Sequence, residues 1–209
     1  VLVEKPRLSG TKEELEAFQF IQAKVEEYGV ESKLHTFRGY LSYPRFAKVE
    51  VEMEEGVSLT LQAKTRSFSA STKETGIEGE VVYIPGGQDM FADTKTIEML
   101  KKTDLKGKIV LTEGGGRQNM IFAQQKGAIG YIHMWPIPDP LIHYSTVSPV
   151  WGTPTPENIA SIPNIPVVAI TNMDGKRLLE IMKGKNIKVR LFTTTETGCQ
   201  DQRVIVCNI

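Results

Sequence analysis

The sequence predicts an α/β fold with a sheet that is at least partly parallel. Short apolar runs recur at Glu80–Ile84, Lys108–Thr112, Ile129–His133 and Pro166–Ile170, each the length of a buried strand. Helical spacing fills the gaps, near Asp93–Lys102 and over residues 117–126, and follows the last run up to Gly184. Strands alternating with helices are the pattern of an α/β domain. With 209 residues, 40% hydrophobic and 24% charged, the chain can bury the core of one large domain or two small ones.

The first element is a helix over residues 11–29. Thr11-Lys-Glu-Glu14 has capping-box spacing, in which the Thr hydroxyl and the Glu carboxylate satisfy free backbone donors. Leu15, Phe18, Ile21, Val25 and Tyr28 then recur on one face, and Gly29 is the natural stop. Val30 to Phe37 alternates weakly and reads as a strand. Residues 47–63 read as a β-hairpin, with Val49, Val51 and Met53 alternating up to a Glu54-Glu55-Gly56 turn and Val57, Leu59 and Leu61 alternating back. Thr65 to Gly79 is rich in Ser and Thr and is expected to be an exposed connector.

The apolar strands listed above come next. The helix near Asp93–Lys102 is expected to bury Ile97 and Leu100. Residues 135–166 hold eight of the chain's eleven prolines, which predicts an ordered irregular excursion rather than buried sheet. At the corner after Pro166–Ile170, Asn172 is expected to cap the next helix and Asp174 to complement its positive end. Leu178, Leu179, Ile181 and Met182 supply that helix's buried stripe. The corner therefore reads as scaffold. Ile187–Thr194 supplies a further strand.

Twenty-five basic residues balance twenty-five acidic ones, which gives no support to a nucleic-acid or anionic-membrane partner. No apolar run approaches the ~20 residues that span a bilayer. The two cysteines, Cys199 and Cys207, lie close together near the end and are expected to be unpaired thiols. The chain does not begin with Met, and its last apolar run, Arg203–Ile209, stops without a turn signal, so a piece of a longer protein is expected.

Several chemistries find little support. The three histidines, His35, His133 and His143, form no H-E-x-x-H motif. His133, Asp139 and His143 cluster in sequence, but at no recognised ligand spacing, and read as ordinary loop residues. Ser145 lies two residues from His143, without the elbow of a serine hydrolase. The most suggestive local chemistry is Thr112-Glu-Gly-Gly-Gly-Arg117, between a strand and a helix. Its glycines can turn backbone N–H groups toward an anion, with the Arg117 guanidinium nearby. The pattern is neither a dinucleotide fingerprint nor a phosphate loop, and a tight structural turn accounts for it equally well.

The run Lys106-Gly-Lys-Ile-Val-Leu111, the glycine-rich loop, Ala123-Gln-Gln-Lys-Gly-Ala-Ile-Gly130, Ile165–Ile170 and Asp174-Gly-Lys-Arg-Leu-Leu179 together resemble the protease-associated (PA) domain. Arg7–Thr11, the helix ending at Tyr28-Gly29, Leu41-Ser-Tyr-Pro44 and the closing Val204–Asn208 resemble the start and resumption of a two-zinc aminopeptidase. That group includes the glutamate-carboxypeptidase-like enzymes and the transferrin receptor. The resemblance implies an N-terminal peptidase segment at 1–45, an inserted PA domain at 46–200 and the resumed peptidase domain from 201–209.

It implies two zinc ions in the full-length parent, whose ligands lie after the resumption point. No catalytic or metal residue carries over to this chain. Glu13-Glu14, Glu26-Glu27 and Glu54-Glu55 have no accompanying His ligands. One contact transfers: Arg117, with Gly115 and Gly116 beside it, stands close to the position where an arginine of the carboxypeptidase-like relatives reaches the substrate carboxylate. The implied role is a non-catalytic cover of the active-site cleft that shapes substrate access. The implied partners are the rest of the peptidase domain, a peptide substrate and a second copy in a homodimer. The alternative is a PA-type protein or peptide interaction module without peptidase activity, and a free-standing small-anion binder at Gly114–Arg117 is a third.

Overall fold

The computed structural model describes residues 4–53, 57–86, 94–113, 116–150 and 152–208. The chain divides into two compact units, one of Val1–Leu41 with Thr197–Ile209 and one of Ser42–Glu196. Two long strands, β1 (Glu31–Glu52) and β8 (Lys188–Asn208), run through both.

In the smaller unit, helix α1 (Lys12–Glu27) is capped at Thr11, whose Oγ1 accepts from Glu14 N–H at 3.3 Å. The Glu14 carboxylate reaches back one residue further than a capping box predicts, accepting from Gly10 N–H at 2.9 Å. Thr11 N–H is already bonded to Leu8 O at 3.1 Å, which explains the shift. Arg203 completes this half-buried cluster, 3.4 Å from Glu14 Oε2. Gly29, at φ +78°, ends the helix as expected.

The larger unit is built on a mixed sheet of order β2-β1-β8-β4-β5-β6-β7-β3. Its remaining strands are β2 (Ser58–Leu61), β3 (Ala63–Thr65), β4 (Ile77–Ile84), β5 (Ile109–Thr112), β6 (Gly130–Met134) and β7 (Val167–Ile170). β4 through β7 pair in parallel, in keeping with the buried, largely apolar runs of β5 to β7, while β3 and β8 close the parallel block with antiparallel pairs. Helices α2 (Thr94–Lys102) and α3 (Arg117–Gln125) cover one face, where Leu100, Met120 and Ala123 pack on Val110, Tyr131 and Val167. Helix α4 (Asn172–Ile181) covers the other, with Leu178 on Ile132, Met134 and Val168. Buried Thr96 accompanies Leu100 on the α2 face, and the expected Ile97 is half-buried.

The hairpin expected at 47–63 forms, with Val49 opposite Leu61 and Val51 opposite Leu59. Its Glu54–Gly56 turn lies outside the described residues, as does Asp93. The expected separate strands at Val30–Phe37, Ile187–Thr194 and Val204–Asn208 are parts of two continuous ones. Pro44 does not interrupt β1, because β2 pairs only with Val49–Glu52 and leaves its own side of β1 without a paired strand at Pro44 among the described residues.

The expectation of an exposed connector over Thr65–Gly79 holds at Ser71 and Lys73–Thr75 and fails on either side of them. Thr65, Arg66 and Ser69 are buried, and the segment is laced to its neighbours by hydroxyls. Thr193 Oγ1 donates to Ala70 O at 2.8 Å, Thr195 N–H to Ser71 Oγ at 2.9 Å, and Val167 N–H to Ser69 Oγ at 2.8 Å. A Ser/Thr-rich stretch can supply the hydrogen bonds its own burial requires. Over the described residues of 135–166 the chain is irregular apart from a 3-10 turn at Ile159–Ser161, and it is tied down by a bridge between Ser67 and Thr146. Cys199 and Cys207 are free and exposed. They sit on one extended strand, where eight residues span ~26 Å, so no disulfide can close between them. Among the described residues no helix is long and apolar enough to cross a membrane.

Candidate functional site

The loop after β5 leads straight into α3. Gly116 is the buried N-cap residue and supplies no side-chain acceptor, so the first N–H groups of α3 lack the usual cap. Arg117, half-buried, opens the helix. Gly114 and Gly115 lie outside the described residues. Two positions on, Asn119 is fully buried, and neither atom of its amide has a hydrogen-bond partner among the described residues. The sequence holds no signal for this, because an Asn in a helix's first turn ordinarily faces water.

Behind the loop, at the carboxyl ends of β5 and β6, lies a buried polar cluster that the sequence reading missed. Thr112 pairs with His133 in the sheet, and Arg66 Nη2 hydrogen-bonds His133 Nδ1. A guanidinium only donates, so His133 Nδ1 accepts and the imidazole is neutral with its proton on Nε2. Burial holds the His133 pKa well below its ordinary value, and the Arg66 cation pushes the same way against a hydrogen bond to the Glu113 backbone. Burial also pushes Arg66 down to about 10; the Tyr131 phenol opposes this and the neighbouring Arg117 cation adds to it. The Tyr131 phenol is pushed up by burial, partly offset by Arg66 and by a hydrogen bond to Thr112.

Trp135 meets His133 edge-on at 5.7 Å and stacks on His143 at 5.3 Å. Two guanidiniums and an uncapped helix start bring positive charge to this end of the sheet, where the Glu113 carboxylate lies toward Tyr83. Such an arrangement suits a carboxylate. Arg66 escaped notice because its neighbours in sequence, Ser and Thr, resemble a surface loop.

His133, Asp139 and His143 do not converge. His133 is held by Arg66, His143 lies against Trp135, and Asp139 Oδ1 accepts from Leu141 N–H at 3.1 Å in a local turn. Among the described residues no group of three or more His, Cys, Asp or Glu is placed to hold a metal ion. Zinc therefore does not fit the donor set of these residues. Ser145 joins the fold through its backbone, its carbonyl accepting from Ser67 N–H at 2.9 Å.

At the start of α4 the expected cap is displaced by one residue. Thr171, not Asn172, is the N-cap, its Oγ1 accepting from Asp174 N–H at 3.0 Å. Thr171 keeps extended backbone angles while Asn172 is already helical, and only the former geometry turns a side chain back over the N–H groups. Asn172 instead donates from Nδ2 to Trp135 O at 3.1 Å, fastening α4 to the start of the proline-rich excursion. Both side chains at the corner thus make local bonds within the fold.

No known family model matches the chain. A probable glutamate carboxypeptidase, AMP1 of Arabidopsis thaliana, is 24% identical over 143 residues, which cover 63% of this chain and 20% of that protein. An aminopeptidase from Aneurinibacillus sp. strain AM-1 superposes with a TM-score of 0.70 at 20% identity, over 99% of this chain and 45% of its own. BSAP, a zinc aminopeptidase from Bacillus subtilis, gives 0.65 at 20% identity, over 97% and 42%. A peptidase M28 precursor from Shewanella amazonensis SB2B gives 0.63 at 18% identity, over 96% and 46%. The chain thus spans under half the length of these structures and a fifth of the plant relative. Nearly its whole length has the mixed α/β fold found in part of these aminopeptidases.

Proposed function

We propose that this chain is the non-catalytic, cleft-covering part of a two-zinc peptidase that acts at a chain terminus. On this reading, residues 1–45 and 201–209 belong to the peptidase domain and 46–200 form an inserted PA domain. The observation that carries the reading is the fold match along 99% of the chain to an aminopeptidase more than twice as long. The sequence blocks resembling a PA domain, Lys106–Leu111, Ala123–Gly130 and Ile165–Ile170, fall at β5, at the end of α3 and start of β6, and at β7.

Since the described residues here hold no zinc donor set, no catalytic step is assigned to them. Their work is binding. Arg117 and the uncapped start of α3 take up a carboxylate of the peptide, and buried Arg66 adds positive charge behind them. Replacing Arg117 by Met in the full-length gene product tests this. KM should rise at least tenfold for peptides with a free terminal carboxylate and stay unchanged for their amides, with zinc content unaltered. An equal KM for both forms in both proteins would overturn the assignment. A longer protein without any peptidase activity would favour a PA-type interaction module instead.

A further inference from the structure

The chain leaves the carboxyl end of β6 on a stretch that holds Pro136, Pro138 and Pro140. It carries large side chains in the open. Ile137 is 51% exposed, Leu141 62% and Tyr144 65%, and His143 is exposed as well. The stretch is anchored all the same. Ile142 is buried among these exposed neighbours, and Val147 ends the stretch in the core. Ser67 N–H donates to Ser145 O at 2.9 Å, and Val147 N–H donates to Ser67 O at 3.0 Å. Prolines fix φ, so this surface has less freedom to lose when it binds.

The anchor point adjoins the carboxylate site. Ser67 follows Arg66, and Phe68 after it has φ +65°, the one positive φ among the described residues other than glycine. Bulky side chains seldom accept that conformation, and such strain gathers where a site demands it. Arg66 holds His133, Trp135 meets that imidazole edge-on, and His143 lies on Trp135 with 13° between the ring planes. Two ring-to-ring steps, of 5.7 and 5.3 Å, thus separate His133 from His143, a span that about three extended residues cover. Beside them Lys64 Nζ stands 4.6 Å from the centre of the Tyr144 ring, which steadies the ring and leaves most of it in water.

We propose that His143 and Tyr144 determine specificity, by packing a large aromatic side chain of the same peptide whose carboxylate Arg117 takes up. This rests on the carboxylate reading above and names the peptides that the site prefers, those with an aromatic residue one to three places before the last. Aromatic rings pair well on imidazole and phenol faces, and the anchored stretch holds those faces ready.

The test uses the intact chain and amino-terminally labelled alanine pentapeptides, followed by fluorescence anisotropy. Phenylalanine replaces the second, third or fourth residue in turn, and each peptide is made as free acid and as amide. At least one phenylalanine acid should bind at least tenfold more tightly than the all-alanine acid. His143→Ala with Tyr144→Ala should abolish that ratio while the circular dichroism of the protein stays as it was. His143→Phe alone should keep it. Arg117→Met should weaken alanine and phenylalanine acids alike. Equal binding of acid and amide overturns the carboxylate reading, whereas equal binding of phenylalanine and alanine acids overturns this proposal alone. A phenylalanine preference that survives the double substitution overturns it too, as does the absence of saturable binding. So does a dimer that the double substitution dissolves in sedimentation, which would assign the patch to a second copy of the chain.

Discussion

Gly175 sits inside α4, where helix propensity alone says that alanine should stabilise the protein by ~1 kcal/mol. The packing reverses that sign. A Cβ at Gly175 would stand 2.5 Å from Met134 Cγ, 2.6 Å from Cε and 3.0 Å from Sδ. Carbon atoms rest at roughly 3.5–4.0 Å, so the methionine must retreat by about 1 Å. Met134 is 1% exposed, in the core between β6 and α4, and has nowhere to go. Overpacking of this kind costs about 1–3 kcal/mol, so Gly175→Ala should destabilise by about 1 kcal/mol net.

The decisive comparison is Gly175→Ala placed on Met134→Ala. The collision is then gone and the propensity gain is exposed, so the same substitution should stabilise by ~1 kcal/mol, a coupling of about 2 kcal/mol. Urea unfolding of the four proteins, followed by circular dichroism, reads this directly. If Gly175→Ala stabilises in both backgrounds, α4 does not lie against Met134 and the described packing is wrong.

Thr171→Ala should cost about 1 kcal/mol by loss of the α4 cap, and Asn172→Ala less, since it removes one half-buried bond to Trp135 O; equal or reversed losses in urea unfolding would restore Asn172 as the cap. His133 is neutral in the fold but protonates in the unfolded chain below about pH 6.5, so the unfolded state binds the extra proton and stability should fall as pH drops. The loss approaches ~1.4 kcal/mol per pH unit between 6.5 and 5, and His133→Gln should flatten that slope. Gly76→Ala should cost about 2 kcal/mol or more, because φ is +72° and the new Cβ would lie 2.7 Å from Leu191 O; a neutral result in thermal unfolding would contradict the β4–β8 junction.

What the sequence made legible was local. The α1 cap at Thr11, the hairpin from Val49 to Leu61 and the parallel strands β4 to β7 all rest on signals carried within a few residues. What it hid depends on partners far along the chain. Arg66 is buried because His133, 67 residues away, accepts its hydrogen bond, and no window around Arg66 contains that fact. Thr65–Gly79 looked like a connector for the same reason, since Thr193 and Thr195 lie more than 120 residues on. The shift from Asn172 to Thr171 arises because both types cap well, and only the backbone angles choose between them. At the candidate site, Arg117 was visible beside its glycines. The charge behind it and the unpartnered Asn119 were not.

The central claim is that this chain covers a catalytic cleft whose zinc and reacting groups belong to a longer protein. It is tested most directly by measuring zinc content and aminopeptidase activity side by side for this chain and for the full-length gene product. The account predicts about two zinc ions and hydrolysis of terminal residues in the long form, with neither in this chain. Stoichiometric zinc and peptide hydrolysis by this chain alone would contradict it and return attention to His133, Asp139 and His143.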